Sequence, residues 1–277
     1  MRGATEVSMR ASIALLLASS VFAATQKEPP NCSSRPCTYT ITCAARTCTA
    51  AEVREVQAAL DDAYRGDTIK LQAGRIFPSA RSLQITRRPG ESGYLTITTT
   101  ELDKLPAPGT RITPAYAELL PTIAVSAPNA YALGLAGHDR PAEYIELVGL
   151  RFTSLVDTQI AVLMIGNDGN EFNWTYPARP ISAANQPDNI IVDRCLFDQD
   201  FSVFIRRLVH VHARATVIKN SYLDGARELN SDTQSISAEQ GTGPLILENS
   251  YVGGATENLM LGGTGPIFEG AAFSAQI

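Results

Sequence analysis

A short apolar segment recurs four times in the second half of the chain. Its copies read LVGLRFT, VDRCLFD, IKNSYLD and LENSYVG and begin at Leu147, Val192, Ile218 and Leu247. The last two intervals fit the coil of a β-solenoid, which is on the order of 20 to 30 residues. The first interval is longer and predicts either two coils or one coil with an insertion.

Stacked coils of this repeat predict three columns of side chains. The residues that begin each copy form an apolar column inside the solenoid, and Phe197, Leu223 and Val252 continue that core. A second column carries charges and faces outward: Asp193, Lys219 and Glu248. Asn220 and Asn249 stack at a turn, where each amide bonds the next, because a buried amide without a partner is costly. The alternative is chance similarity among short β-segments.

The first half of the chain contains one clear helix. Thr49 and Glu52 form a capping box, and a stripe of Val53, Val56, Leu60 and Ala63 follows before Gly66. Short strands then alternate with turn residues, at 68–71, 94–97, 122–125 and 144–147. This pattern predicts an all-β fold in which the helix at 50–64 covers the open end of the solenoid.

The N-terminal region predicts export. Arg10 precedes an apolar run at 13–24 that is too short to span a bilayer, and the alternative is a buried N-terminal helix. Four clustered cysteines follow, and they predict two disulfides more readily than a zinc site: Cys32, Cys37, Cys43 and Cys48. The fifth, Cys195, is expected to be buried. We therefore expect a signal peptide at 1–24, a cysteine-rich segment at 25–48 and a secreted solenoid at 49–277.

Two regions are similar to a known superfamily. Gly66–Gly74 (GDTIKLQAG), together with the helix before it, resembles the opening of right-handed parallel β-helix proteins of the pectate-lyase-like superfamily. The segments at 232–236, 243–251 and 257–263 resemble bacterial β-helix repeat proteins. The resemblance covers about residues 50–265 and implies the fold. Because members of the superfamily usually continue for more coils, it also implies a chain truncated at its C-terminus.

The resemblance implies an acidic polysaccharide as partner, yet it does not fix the activity, since the superfamily includes lyases, hydrolases and non-catalytic adhesins. Pectate-lyase chemistry requires a cation, often calcium, a base that is typically Arg or Lys, and a sugar-binding groove. The motifs typical of polygalacturonases do not occur in this sequence in their usual order. A formal net charge of −5 argues against a nucleic-acid partner, and we expect a monomer.

The first candidate site lies in the segments with the strongest family resemblance. Asp232 and Gln234 share one face of a strand by alternation, and Glu257 and Asn258 fall at a similar place in the following coil. We predict that Asp232 and Glu257 are catalytic and that Gln234 and Asn258 bind substrate. The alternative is that these four residues satisfy turns and stack coils.

A second group supplies positive charge. Arg206 and Arg207 are predicted as catalytic residues, with an Arg as the base, and His210 and His212 alternate behind them. For the two histidines, an exposed polar strand face is favoured over a metal site, since no third ligand is evident in the sequence.

Two further pairs complete the candidates. Trp174 and Tyr176, which lie in an insertion with Phe172, are predicted to stack on sugar rings, although loop packing is the alternative. Asp198 and Asp224 occupy equivalent positions in adjacent coils and form a candidate calcium pair, because carboxylate oxygens suit that ion. The alternative for these aspartates is turn chemistry.

The sequence thus leads to one functional hypothesis and two alternatives to it. The hypothesis is a secreted polysaccharide lyase acting on a uronate-containing polymer. The alternatives are a non-catalytic glycan-binding or surface β-helix protein, and an inactive fragment of a longer enzyme.

Overall fold

The computed structural model describes residues 34–90, 92–137, 140–158, 161–167, 182–200, 202–263 and 275–276. Apart from short 3-10 turns, its elements are one helix and twenty strands. In chain order they are β1 (Thr38–Ile41), α1 (Ala50–Asp62), β2 (Thr68–Leu71), β3 (Ile76–Ser79), β4 (Leu83–Ile85), β5 (Leu95–Thr99), β6 (Thr122–Val125), β7 (Leu133–Ala136), β8 (Glu143–Val148), β9 (Arg151–Ser154), β10 (Leu163–Asn167), β11 (Asp188–Asp193), β12 (Leu196–Phe197), β13 (Arg207–Val211), β14 (Arg214–Lys219), β15 (Tyr222–Leu223), β16 (Gln234–Ala238), β17 (Gly243–Glu248), β18 (Tyr251–Val252), β19 (Glu257–Leu261) and β20 (Ala275–Gln276).

The strands form three parallel sheets. Sheet I has the order β1-β2-β5-β8-β11-β14-β17-β20, sheet II has β3-β6-β9-β12-β15-β18, and sheet III has β4-β7-β10-β13-β16-β19. Every third strand thus returns to the same sheet, which is the topology of a coil that adds one strand to each sheet per turn. The predicted all-β, right-handed parallel β-helix with one N-terminal helix is confirmed.

The register confirms the repeat. Val192 pairs with Leu147 on one side and Ile218 on the other, and Ile218 pairs with Leu247. The long first interval is therefore one coil with an insertion, since β8 and β11 are direct neighbours. Phe152 and Phe197 stack in the core with ring centroids 4.9 Å apart.

The turn between sheets I and II carries the predicted asparagine ladder. Asn249 Nδ2 donates to Asn220 Oδ1 at 2.9 Å, and Asn220 Nδ2 donates to Asp193 Oδ1 at 2.8 Å. Asn220 and Asn249 have φ angles of 52° and 42°, in the left-handed region that asparagine tolerates better than most residues. The ladder therefore satisfies the amides and also accommodates the sharp turn.

Asp193 lies in the column that was predicted to face outward, but it is buried. Asp193 does align with Lys219, which aligns with Glu248, but its exposed fraction is only 5%. Arg194 Nε lies 3.2 Å from its carboxylate, and Arg194 Nη1 donates to the carbonyl of Pro106. The long connection between β5 and β6 thus passes over this turn and buries the aspartate.

The helix closes the first coil as predicted. The Glu52 amide donates to Thr49 Oγ1 at 3.3 Å and the Thr49 amide donates to Glu52 Oε2 at 2.6 Å, which completes the capping box. Val53, Val56 and Leu60 are buried against the core. No helix among the described residues is long and apolar enough to cross a membrane.

The cysteine-rich segment is part of the solenoid edge. Its strand β1 pairs with β2 as the first strand of sheet I, so the parallel sheet extends into this segment. Cys43 and Cys48 form a disulfide, in agreement with the disulfide prediction, and Cys37 is also disulfide-bonded. Cys32 lies outside the described residues, whereas Cys195 is a free, fully buried thiol as expected.

A buried carboxylate fixes the connection from the helix to β2. Asp67 is fully buried and accepts hydrogen bonds from the amides of Cys37 and Tyr64 at 2.7 and 2.8 Å. Arg35 forms an ion pair with the same carboxylate. These contacts join the cysteine-rich segment to the first coil.

Candidate active site on sheet III

The outer face of sheet III collects most of the predicted site residues. In three successive strands Arg207 pairs with Gln234, and Gln234 pairs with Glu257. Val209 and Ile236 are buried in the core, so alternation turns the next pair, His210 and Ser237, outward. Arg207 departs from this alternation and shares the side of His210, since its Nη2 and His210 Nε2 lie 3.3 and 3.4 Å from the same oxygen of Glu239. The face thus presents two rows of polar side chains on adjacent coils.

Gln234 connects three charged side chains. Its amide oxygen accepts from Arg207 Nε at 3.1 Å, and its Nε2 donates to Asp232 at 2.7 Å and to Glu257 at 2.9 Å. A guanidinium only donates and an ionised carboxylate only accepts, so these partners fix the orientation of the amide. The sequence predicted that Asp232, Gln234 and Glu257 lie together, and the structure places them in contact.

Asp232 is held in its ionised form. The hydrogen bond from Gln234 lowers its pKa most, and Ser231 and Arg206 lower it further, so that the pKa falls to about 2 despite partial burial. Arg206 Nη2 lies 2.9 Å from Asp232 Oδ1. Arg206 Nε is buried and has no hydrogen-bond partner among the described residues.

Glu239 is a site residue that our sequence reading missed. Its Oε1 accepts from Ser237 Oγ at 3.0 Å and from Arg207 Nη2 at 3.3 Å, and it lies 3.4 Å from His210 Nε2. Burial opposes its ionisation, but His210, Arg207 and His212 outweigh that effect and lower its pKa. A signal was available: extending the pairing of Val211 with Ala238 by one residue brings Glu239 opposite His212.

The expectation of exposed histidines is wrong. His210 has an exposed fraction of 8% and His212 is partly buried, with their ring centroids 4.2 Å apart. Burial lowers the pKa of both imidazoles, that of His212 to well below its usual value. The backbone N–H of Gln240 donates to His212 Nδ1 at 3.2 Å. Both shifts favour the neutral form of the ring.

The remaining substrate-binding candidates differ in position. Asn258 adjoins Glu257, but its Oδ1 accepts from the amide of Ala255 at 3.3 Å, as expected of a turn residue. Trp174 and Tyr176 lie outside the described residues. The strand before their insertion, β10, is next to β13 in sheet III.

The predicted calcium pair lies on sheet II rather than on sheet III. Asp198 and Asp224 follow two strands in direct register, as predicted. However, Arg151 Nε and Nη2 donate to the two oxygens of Asp198 at 2.6 and 2.9 Å, and Tyr222 donates to Asp224. A guanidinium already neutralises Asp198, so the pair does not fit calcium in this arrangement.

Other groups of metal-ligating residues are scarce in the part of the chain that the structure describes. The single group of three with ligand atoms close together is Cys43, Cys48 and Glu52, where the disulfide removes the thiolates. His210, His212 and Glu239 do not form such a group within the described ranges.

Comparison with known proteins adds a likeness in fold. The sequence matches no family model and no curated protein. Among solved structures, an alginate lyase from a Paenibacillus species is similar over 76% of this chain and 65% of that one, with 15% identity and a TM-score of 0.42. The chain thus spans slightly less than two thirds of the length of that lyase. No residue role passes from that enzyme to this chain at this level of likeness.

Proposed function

We propose that the protein binds an acidic polysaccharide across the outer face of sheet III and cleaves it by β-elimination. The observation that carries the proposal is that Arg206, Arg207 and the imidazole of His210 lie together on one coil, beside the carboxylate of Asp232 on the next coil. Elimination next to a uronate carboxylate needs a cation for that carboxylate and a base for the neighbouring proton. Both chemical types are present on this face.

Arg206 is the better candidate for the substrate carboxylate. Its side chain is 24% exposed, against 9% for Arg207, so its guanidinium is the more accessible of the two. Arg207 is committed to Gln234 and Glu239 and therefore acts by positioning them. Asp232 and Glu257 would accept hydrogen bonds from sugar hydroxyls at the open edge of the same row.

The test is cleavage of a panel of polymers by the purified protein. Polygalacturonate, alginate and a neutral glucan are incubated with the protein, with calcium and with a chelator, and absorbance of the unsaturated product is followed. We expect product from a polyuronate only, and a loss of about 10²-fold in Arg206→Ala. Arg54→Ala, an exposed arginine on α1, is the matched control. Flat traces with every uronate would exclude the lyase function.

One observation favours binding without cleavage. Both arginines are already paired with carboxylates, Arg206 with Asp232 and Arg207 with Glu239, so the face has little free positive charge. Glycan binding that is unchanged in Asp232→Ala and Glu257→Ala, with no product formed, would support a non-catalytic glycan-binding protein.

We also propose that the protein works outside the cytosol. The Cys43–Cys48 disulfide supports this, because disulfides persist in oxidising compartments. Labelling of free thiols in protein from the culture medium, from the periplasm and from the cytosol would test it. Recovery of the folded protein only in the cytosol, with both thiols free, would exclude export.

A further inference from the structure

We propose that Glu239 and His210 form a carboxylate–imidazole dyad in which Glu239 positions His210 as the base of the elimination. The inference rests on the proposed function and deepens it, since the sequence had suggested an arginine as the base. It assigns a positioning role to Glu239, a residue outside all the sequence-based candidates.

The geometry around Glu239 is that of a fixed acceptor. Ser237 and Arg207 both donate to its Oε1, and its side chain is only 7% exposed. These contacts hold the carboxylate at one place beside the imidazole. A carboxylate that is fixed in this way selects the ring orientation and tautomer of a neighbouring histidine.

The two ring nitrogens of His210 have different surroundings. Nε2 is buried and lies 3.4 Å from Glu239 Oε1, but the two groups are not aligned for a hydrogen bond. Nδ1 makes no hydrogen bond to any residue that the structure describes. If Nε2–H donates to Glu239, the lone pair on Nδ1 is left to accept a proton from the substrate. Catalytic hydrogen bonds often shorten when the substrate binds, so this contact can tighten in the complex.

The charged groups around His210 determine the direction in which its pKa moves when Glu239 loses its charge. Glu239 at the end of β16 raises the pKa of His210, whereas burial, Arg207 and Arg206 lower it. His212, which directly follows β13, has its own pKa lowered, and Met164 on β10 does not titrate. Removing the charge of Glu239 must therefore lower the pKa of His210 further and weaken it as a base.

The proposed step is balanced without a redox partner. The lone pair of His210 Nδ1 takes the proton from the carbon beside the uronate carboxylate, and the electron pair of that C–H bond becomes the new C=C bond. The C–O bond to the departing sugar breaks with both its electrons, and the departing oxygen takes a proton from solvent. His210 then returns its proton to solvent.

The experiment combines kinetics with NMR titration of the imidazoles in the full chain. The variants are His210→Gln, Glu239→Gln and the charge-conserving Glu239→Asp, and Glu248→Gln on the outer face of sheet I is the control. We expect kcat to fall by about 10²-fold or more in His210→Gln and Glu239→Gln, with partial recovery in Glu239→Asp. The His210 titration and the acidic limb of kcat/KM should both move to lower pH in Glu239→Gln.

The outcomes separate the dyad from the function. Cleavage by the wild type that survives in His210→Gln overturns the dyad and leaves the lyase function standing. An unchanged His210 titration in folded Glu239→Gln also overturns the dyad, because a merely structural role of Glu239 would leave that titration in place. If the wild type cleaves no uronate, the lyase function fails, and the base role of His210 fails with it even if the titration shifts.

Discussion

Arg207 and Gln234 occupy equivalent positions on adjacent strands of sheet III, and the guanidinium Nε donates to the amide oxygen at 3.1 Å. This contact orients the amide so that its nitrogen donates to both Asp232 and Glu257. A single neutral side chain therefore links a cation to two anions across three coils.

Substitution of Gln234 should disturb all three partners at once. Gln234→Ala removes an acceptor from buried Arg207 and a donor from both carboxylates, so we expect a loss of about 1–3 kcal/mol in the free energy of unfolding. Chemical denaturation measures it. Asn258→Ala, which loses one turn contact in the following coil, is the control and should cost less. Equal stability of the Gln234 variant and wild type would show that the network is not stabilising.

The charge of Asp232 should make stability depend on pH in the acid range. Its pKa in the folded protein is about 2, below the value of about 3.9 in an unfolded chain, so the unfolded state binds more protons between these values. Stability is therefore present above pH 4 and is lost as the pH falls towards 2. The difference in unfolding free energy between wild type and Asp232→Asn, measured from pH 5 to 2, should shrink on acidification. A difference that is constant with pH would contradict the shift.

Asn220 should contribute to the free energy of unfolding in two separable ways. Asn220→Ala removes the amide from the ladder and places alanine at a φ of 52°, whereas Asn220→Gly removes the amide alone. We expect the alanine variant to be less stable than the glycine variant by about 1 kcal/mol, the cost of the left-handed conformation. Thermal or chemical unfolding of both variants measures the difference. Equal stabilities would mean that the turn carries no conformational strain.

The buried carboxylate of Asp67 should be important for the N-terminal edge. Asp67→Ala leaves two amides and Arg35 without their acceptor, and we expect a loss of about 3 kcal/mol or more. Chemical denaturation compares it with Asp103→Ala, an exposed aspartate in the connection between β5 and β6. A loss no larger than that of the control would show that the cap does not depend on this carboxylate.

Much of the fold could be predicted from local patterns. The repeat beginning at Leu147, Val192, Ile218 and Leu247 predicts the register, because in stacked coils equivalent residues must lie above one another. The capping box at Thr49 predicts the helix start, because it depends only on two residues that are three positions apart in the chain. Burial of Asp193 could not be predicted, because the chain that covers it is the distant connection between β5 and β6.

The candidate site divides in the same way. The sequence by itself placed Gln234 and Glu257 at similar points of adjacent coils, whereas Arg207 belonged to a separate group of candidates. The structure added Arg207 to their row. Only the tertiary structure decided what each side chain can do there. It committed Asp198 to Arg151, buried His210 beside Glu239 and oriented the Gln234 amide, because charge pairing and desolvation depend on neighbours that are one coil away in space but about 25 to 50 residues away in the chain.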